Sequence, residues 1–333
     1  MGFFKFFFGT LAILLAIFTF LIILAIITNL NQRDNDLFKF EEGSKQSNNV
    51  LAVLEIDGPI INETSNFLGL NVNGFIYPNV IKKKLIKLLD YKPKVIIIKI
   101  NSPGGTVGAS AKLYKIFKDF KSENEIELIF FTNQMLTSGA YWVANSGDRI
   151  IASYGSIIGS IGVSSPNWFY YNKPISISKG LFGETIETEK GVEVYSPSSG
   201  LSKDLYNPFR KPTTKEIEHL QNISDQIYEN FINIVSKKRK IEKQFLKNEI
   251  GALIFNTAQA QNNYLIDEVM YFEDVIKQIN KNNNYSNYKL IKNYQANNFY
   301  KNLLSFNSIK DVNKCDYLNF NILSILPVYL NNC

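Results

Sequence analysis

Histidine and cysteine are nearly missing from these 333 residues, which hold one histidine, His219, and two cysteines, Cys315 and Cys333. A structural zinc draws three or four ligands mostly from those two residue types, so with no clustered set it is excluded. His219 is also a poor catalytic base, because it stands in a Glu- and Lys-rich helical stretch and reads as a solvated surface residue. Both cysteines lie in the final segment, where a disulfide, free thiols and an unstructured tail fit equally. An excess of either charge is lacking too. Thirty-six Lys and Arg against 30 Asp and Glu leave +6, too mild over this length to support nucleic-acid binding.

What is present is an ordinary globular composition, 45% hydrophobic and 20% charged, which excludes wholesale disorder and a collagen-like repeat. One long apolar run interrupts it. Phe6 to Leu30 carries no charge, and as a helix it would reach about 37 Å, against about 30 Å for a bilayer's hydrocarbon core. A cleavable signal peptide has an apolar region of only about 7 to 15 residues and small residues before the cut. The run is longer and lacks that pattern, so it predicts an uncleaved anchor. Lys5 precedes it, while Arg33, Lys39 and Lys45 after it are offset by Asp34, Asp36, Glu41 and Glu42. The Lys and Arg count is a weak vote, and the orientation expected for a first helix with so short a leader is N-terminus inside and body outside a cytoplasmic membrane, crossed once. The expected organisation is a leader at 1–5, an anchor at 6–30, a flexible stalk at 31–48, a catalytic body at 49–280 and a tail at 281–333. The tail is rich in Asn, Lys and Tyr and ends in an apolar stretch read as a packing strand.

Within the body, Val50 to Ile56, Val95 to Ile100 and Ile126 to Phe131 are apolar runs of strand length. Between the last two, Ala109, Leu113, Ile116 and Phe120 recur at helical spacing. A further helix is predicted to start near Thr213 after Pro212, with a core stripe of Ile217, Leu220, Ile223, Ile227, Phe231 and Ile234. Strands alternating with helices imply an α/β body.

Two constellations could carry chemistry. Asn101-Ser102-Pro103-Gly104-Gly105-Thr106 joins a strand to a helix, where glycines let backbone N–H groups turn toward an anion and the helix N-terminus adds partial positive charge. It lacks the P-loop lysine and the spacing of a dinucleotide loop, and a plain tight turn fits it as well. In Thr137-Ser138-Gly139-Ala140-Tyr141-Trp142, small residues flank one hydroxyl, as a nucleophile needs. Taken alone, Ser138 reads more simply as a helix N-cap. A serine nucleophile here would require lysine as its base, and a lysine serves only when its pKa falls far below about 10.4. Lys203, among neutral and apolar neighbours, qualifies, although a surface lysine is the plainer reading.

Together these segments resemble the signal peptide peptidase A family, membrane-anchored serine peptidases with a Ser/Lys dyad and a Clp protease/crotonase-like fold. The resemblance runs from about Val50 to Ile279 and rests on INSPGGTV, TSGAYWVA, GSIIGSIGV, SKDLYNPFRKPT and TAQAQNNYLIDEV in that order. It implies a repeated β-β-α body, Ser138 as nucleophile and Lys203 as general base, with Lys190 and Lys211 as alternates. It further implies an oxyanion hole from the N–H of Gly105 with that of Ser138 or Gly139, and a Ser160 hydroxyl that orients the lysine. No cofactor is implied. The expected partners are hydrophobic peptides such as signal peptides left after secretion, the membrane through the N-terminal helix, and further copies of the chain, since family members form rings in which serine and lysine can come from adjacent protomers. A catalytically silent anchored scaffold of the same fold, or an acyl-CoA enzyme of the crotonase type, are the rival expectations.

Overall fold

The computed structural model describes residues 2–31, 37–62, 74–170, 179–180, 183–184 and 199–293. The N-terminal helix α1 (Gly2–Asn31) contains a stretch, Phe6–Leu24, long and apolar enough to cross a membrane and buried against nothing in the protein.

The body begins earlier than the composition suggests. Phe38–Gly43, within the expected stalk, forms strand β1, followed by β2 (Val50–Asp57), helix α2 (Pro78–Leu88) and β3 (Val95–Asn101). Next come α3 (Val107–Asn124), β4 (Glu127–Thr132), β5 (Met135–Thr137), α4 (Gly139–Ala144), β6 (Arg149–Ala152) and β7 (Ile157–Gly159). A two-residue ladder, β8 (Lys179–Gly180) with β9 (Gly183–Glu184), precedes α5 (Thr214–Arg239). The rest comprises α6 (Lys243–Phe245), β10 (Ile254–Asn256), α7 (Thr257–Asn262), β11 (Glu268–Val269), α8 (Phe272–Asn282) and β12 (Lys289–Asn293).

Seven strands form the main sheet in the order β1-β12-β2-β3-β4-β6-β11, parallel throughout except where β1 meets β12. The strands are continuous apolar runs because both faces are covered. Successive residues point to opposite faces, so Ile96, Ile98, Phe130 and Ile150 meet α3, α4 and α5 while Ile97, Ile129, Phe131 and Ile151 meet Val275, Ile276 and Ile279 of α8.

A second, small sheet, β10-β7-β5, is extended by isolated bridges from Leu136 to Ser102, from Gly105 to Ile60 and from Ile60 to Ile76. Each long strand is thus followed by a short strand or bridge and then a helix: β3, residues 102–105 and α3; β4, β5 and α4. This is the expected repeated β-β-α body.

Two expectations are corrected at the sheet's edge. Residues 38–43 and 289–293 fall within the expected stalk and tail and are rich in Lys, Glu and Asn. They pair with each other, and β12 pairs in turn with β2. The edge strand β1 tolerates such residues because little of it beyond Phe38 is covered, whereas β12, paired on both sides, buries Leu290, Ile291 and Asn293. Helix α5 starts where expected, on a capping box between Thr213 and Glu216. Its stripe is core only toward the C-terminus: Phe231 is buried and stacks on Trp142 at 5.0 Å, whereas Ile217 is exposed. The apolar end of the tail lies outside the described residues.

Candidate active site

Strands β5 and β7 run parallel, with Thr137 opposite Gly159, and each ends directly in a serine. Ser138 has φ 54° and ψ −125°, and Ser160 has φ 53°. Positive φ in a residue with a side chain costs on the order of 1–3 kcal/mol and persists only where surrounding structure imposes it. Here the Ser138 N–H donates to Gly159 O at 2.8 Å and the Ser160 N–H donates to Leu253 O at 2.7 Å. The two serines are therefore held side by side on adjacent strand ends.

Ser138 occupies the N-cap position of α4 yet makes no capping hydrogen bond. The simple cap reading fails, because an N-cap takes an extended backbone and Ser138 has positive φ and no capping hydrogen bond. The residue is 1% exposed.

On the other side of β5, Ser102 N–H donates to Met135 O and Thr137 N–H donates to Ser102 O, which docks the glycine corner beside Ser138. Ile60 holds that corner from outside: its N–H donates to Gly104 O at 2.7 Å and its carbonyl accepts from Thr106 N–H at 2.9 Å. Because the neighbours of Gly105 are both turned toward Ile60, the Gly105 N–H points the opposite way, toward the serine turn. A Cβ on Gly105 would fall 1.9 Å from Ile60 O, so the approach requires glycine. A Cβ on Gly139 would stand 3.2 Å from Gly105 N and 2.3 Å from the Ser110 Oγ. The two glycine backbones face one another across a gap with no room for a side chain.

Of the two N–H groups expected to partner Gly105, that of Ser138 is already engaged by Gly159, while that of Gly139 has no hydrogen-bond acceptor among the described residues. The hydroxyls of Thr106, Ser110 and Thr137, each beside or touching this turn, are buried without partners. Among the described residues no group of three His, Cys, Asp or Glu side chains could hold a metal.

Lys203 lies elsewhere, on an arm at 199–213 that runs into α5. It is exposed, and its ammonium makes no hydrogen bond or ion pair with a described residue. The structure thus brings together Ser138, Gly105, Gly139 and Ser160, and draws no bond between them and Lys203. Lys211 sits over the Tyr170 ring at 5.7 Å, and Lys190 lies outside the described residues.

The sequence reading missed what holds the arm. The Arg210 guanidinium binds Asp204 through Nε and Nη2, each at 2.7 Å, and Glu216 through Nη1 and Nη2 at 2.9 and 2.8 Å. It also lies 5.4 Å from the centre of the Trp168 ring, whose N–H donates to Asn207 O. Arg210 holds both carboxyls below their usual range, Glu216 further aided by the Thr213 N–H. Asp204 adjoins Lys203, so the fork positions the backbone that carries the lysine. The only signal in the sequence was an Asp, an Arg and a Glu at six-residue intervals.

A serine on a strained strand end beside a glycine corner, on a body of repeated β-β-α turns, defines the Clp protease/crotonase-like class. Within it, the model of peptidase family S49 matches residues 121–286 of this chain. A "putative protease" of Methanocaldococcus jannaschii is 30% identical over 61% of this chain, and a "putative signal peptide peptidase SppA" of Enterococcus faecium is 27% identical over 72%. The matches span 60% and 65% of those two relatives' own lengths. "Protease 4" of Haemophilus influenzae is 27% identical over 68% of this chain and 34% of its own. A solved membrane-bound stomatin-specific protease covers 70% of this chain and 85% of its own, at 15% identity and a TM-score of 0.41.

Proposed function

We propose that the protein is a membrane-anchored serine endopeptidase that cleaves hydrophobic peptides, notably signal peptides left after secretion, with Ser138 as nucleophile and Lys203 as general base. The observation that carries this reading is Ser138 itself, forced to positive φ without a cap to make, opposite the Gly105 N–H. Lys203 takes the Ser138 proton as Oγ attacks the scissile carbonyl, and the N–H groups of Gly105 and Gly139 hold the developing oxyanion. The lysine then protonates the leaving amine, and water, activated by the same base, hydrolyses the acyl-enzyme. Ser160, beside Ser138, orients the lysine.

The exposure of Lys203 supports a dyad completed between copies of the chain. So do the exposed apolar residues around its arm: Leu201 is 88%, Phe169 58% and Ile217 53% accessible. Covering such residues favours association. Helix α1 anchors the protein, with the body outside the cytoplasmic membrane.

The test is hydrolysis of a fluorogenic apolar peptide by the full chain in detergent, for wild type, Ser138→Ala, Lys203→Ala and a mixture of the two variants. Both variants should be inactive, and the mixture should regain turnover as subunits exchange. Undiminished hydrolysis by Ser138→Ala would overturn the reading. The same exposure of Lys203 favours, as a second reading, a silent scaffold, which predicts that a serine-directed phosphonate fails to label Ser138 in the assembled wild type.

A further inference from the structure

The two ends of the main sheet differ in charge. At their carboxyl ends β2, β3, β4, β6 and β11 lead into residues 58–62, 102–106, 133–139, 153–156 and 270–272, none of which is Lys, Arg, Asp or Glu. The segments that lead into the same five strands carry Lys45, Lys92 and Lys94, Glu125, Asp148 and Asp267 in turn. Asp57, the last residue of β2, is met by the Asn101 amide at 3.0 Å. Access to Ser138 accounts for the lack of charge at 102–106 and 133–139. It does not account for 153–156 and 270–272, which lie toward the far edge of the sheet.

The uncharged end is also where the apolar helix joins the body. Strand β1 runs antiparallel to β12, with Phe38 opposite Asn293, so the chain arriving from α1 enters at the carboxyl ends of the parallel strands. Leu37, just before it, is exposed. From Asn31 to Phe38 the chain reaches at most about 25 Å. With the amino ends against a bilayer, that link would have to climb the length of the sheet, about 23 Å for the seven residues of β3, and would be pulled nearly straight. With the carboxyl ends against it, the link has slack.

At the edge opposite β1, the uncharged turns hold Tyr154 and Tyr271, 78% and 58% exposed. Tyrosine is enriched where proteins meet lipid headgroups, its ring in the apolar boundary and its hydroxyl in water. Tyr264, just before β11 at the amino ends, is 69% exposed. Exposed tyrosine alone therefore does not choose an end of the sheet; the entry of the anchor and the missing charge do.

We propose that the carboxyl-end face of the sheet rests on the phospholipid headgroup layer, held by α1 at the β1 edge and by Tyr154 and Tyr271 at the β11 edge. The turns that carry Gly105 and Ser138 then receive peptides directly from the membrane surface. This placement rests on the reading of α1 as an anchor.

The experiment places the full chain in phosphatidylcholine vesicles, with and without a nitroxide on the lipid headgroup. Tryptophan emission is compared among wild type, Tyr154→Trp, Tyr271→Trp and Tyr264→Trp, the wild-type signal of Trp142 and Trp168 being subtracted. The emission added by Tyr154→Trp and by Tyr271→Trp should fall at least about two-fold with the nitroxide lipid, while that added by Tyr264→Trp should hold. A chain that does not float with the vesicles removes the anchor, and this placement with it. A chain that floats while Tyr154→Trp and Tyr271→Trp keep their emission overturns the placement and leaves the anchor standing. Emission from those two variants that is blue-shifted yet unquenched also overturns it, by giving the face to a second copy of the chain. Equal quenching in all three variants would show a body with no fixed face toward the lipid, and overturns it too.

Discussion

At the scale of single residues, the site is governed by where a Cβ cannot go. Gly105→Ala drives a methyl into the Ile60 carbonyl, so the corner must retreat from Ser138. We expect kcat for an apolar peptide to fall by about 10²–10³, the usual loss of one oxyanion donor, with KM little changed. An unchanged kcat would remove Gly105 from the proposed site. Tyr141 behaves differently. It is wholly buried, its hydroxyl donates to Leu265 O at 2.7 Å, and burial pushes the phenol far up its scale. Tyr141→Phe orphans that carbonyl and should cost about 1–3 kcal/mol in chemical denaturation without altering the chemistry.

At the scale of elements, the arm bearing Lys203 depends on one guanidinium. Arg210 holds Asp204 and Glu216 in their charged forms, lowering both pKa values. Carboxylates with depressed folded pKa values contribute stability that is fully present above their unfolded pKa and lost as pH falls through the folded one. The arm should therefore stay docked through the ordinary carboxylate range near pH 4 and release only well below it. Fluorescence of Trp168, which packs on Tyr206 and Arg210, reports this directly. In Arg210→Ala the release should occur at neutral pH, with turnover falling in step; an undisturbed Trp168 signal would show that apolar packing alone holds the arm. Helix α5 is anchored at its other end, where Phe231 stacks on Trp142, and Phe231→Ala should cost about 3–5 kcal/mol.

At the scale of the whole molecule, the body does not start at the first strand that composition reveals. A chain beginning at Asn49 loses β1, exposing β12 as a bare edge and uncovering the Phe38 site against Tyr91. It should unfold at lower denaturant than a chain beginning at Leu37, a comparison that urea titration makes directly. Removing 1–31 should transfer the protein from the membrane fraction to the soluble one.

The three central strands, the start of α5 and the apolar N-terminal run were legible in the sequence, since each depends on local periodicity, capping chemistry or length. So were the ordered motifs that contain Ser138, Gly105, Gly139 and Ser160, the residues proposed for the site. Several features were not legible. Strands β1 and β12 lie about 250 residues apart, and β12 is only five residues long, with two lysines and an asparagine around its apolar pair. That Ser138 makes no capping hydrogen bond goes with a backbone dihedral at the end of β5, beside β7, and no run of neighbours encodes that. The choice between the Ser138 and Gly139 N–H groups depended on a carbonyl from another strand, and the Arg210 fork on three side chains converging in space. Local chemistry determined which elements form; only tertiary contacts decided which donors remain free, because a hydrogen bond is spent on whichever acceptor the fold brings near.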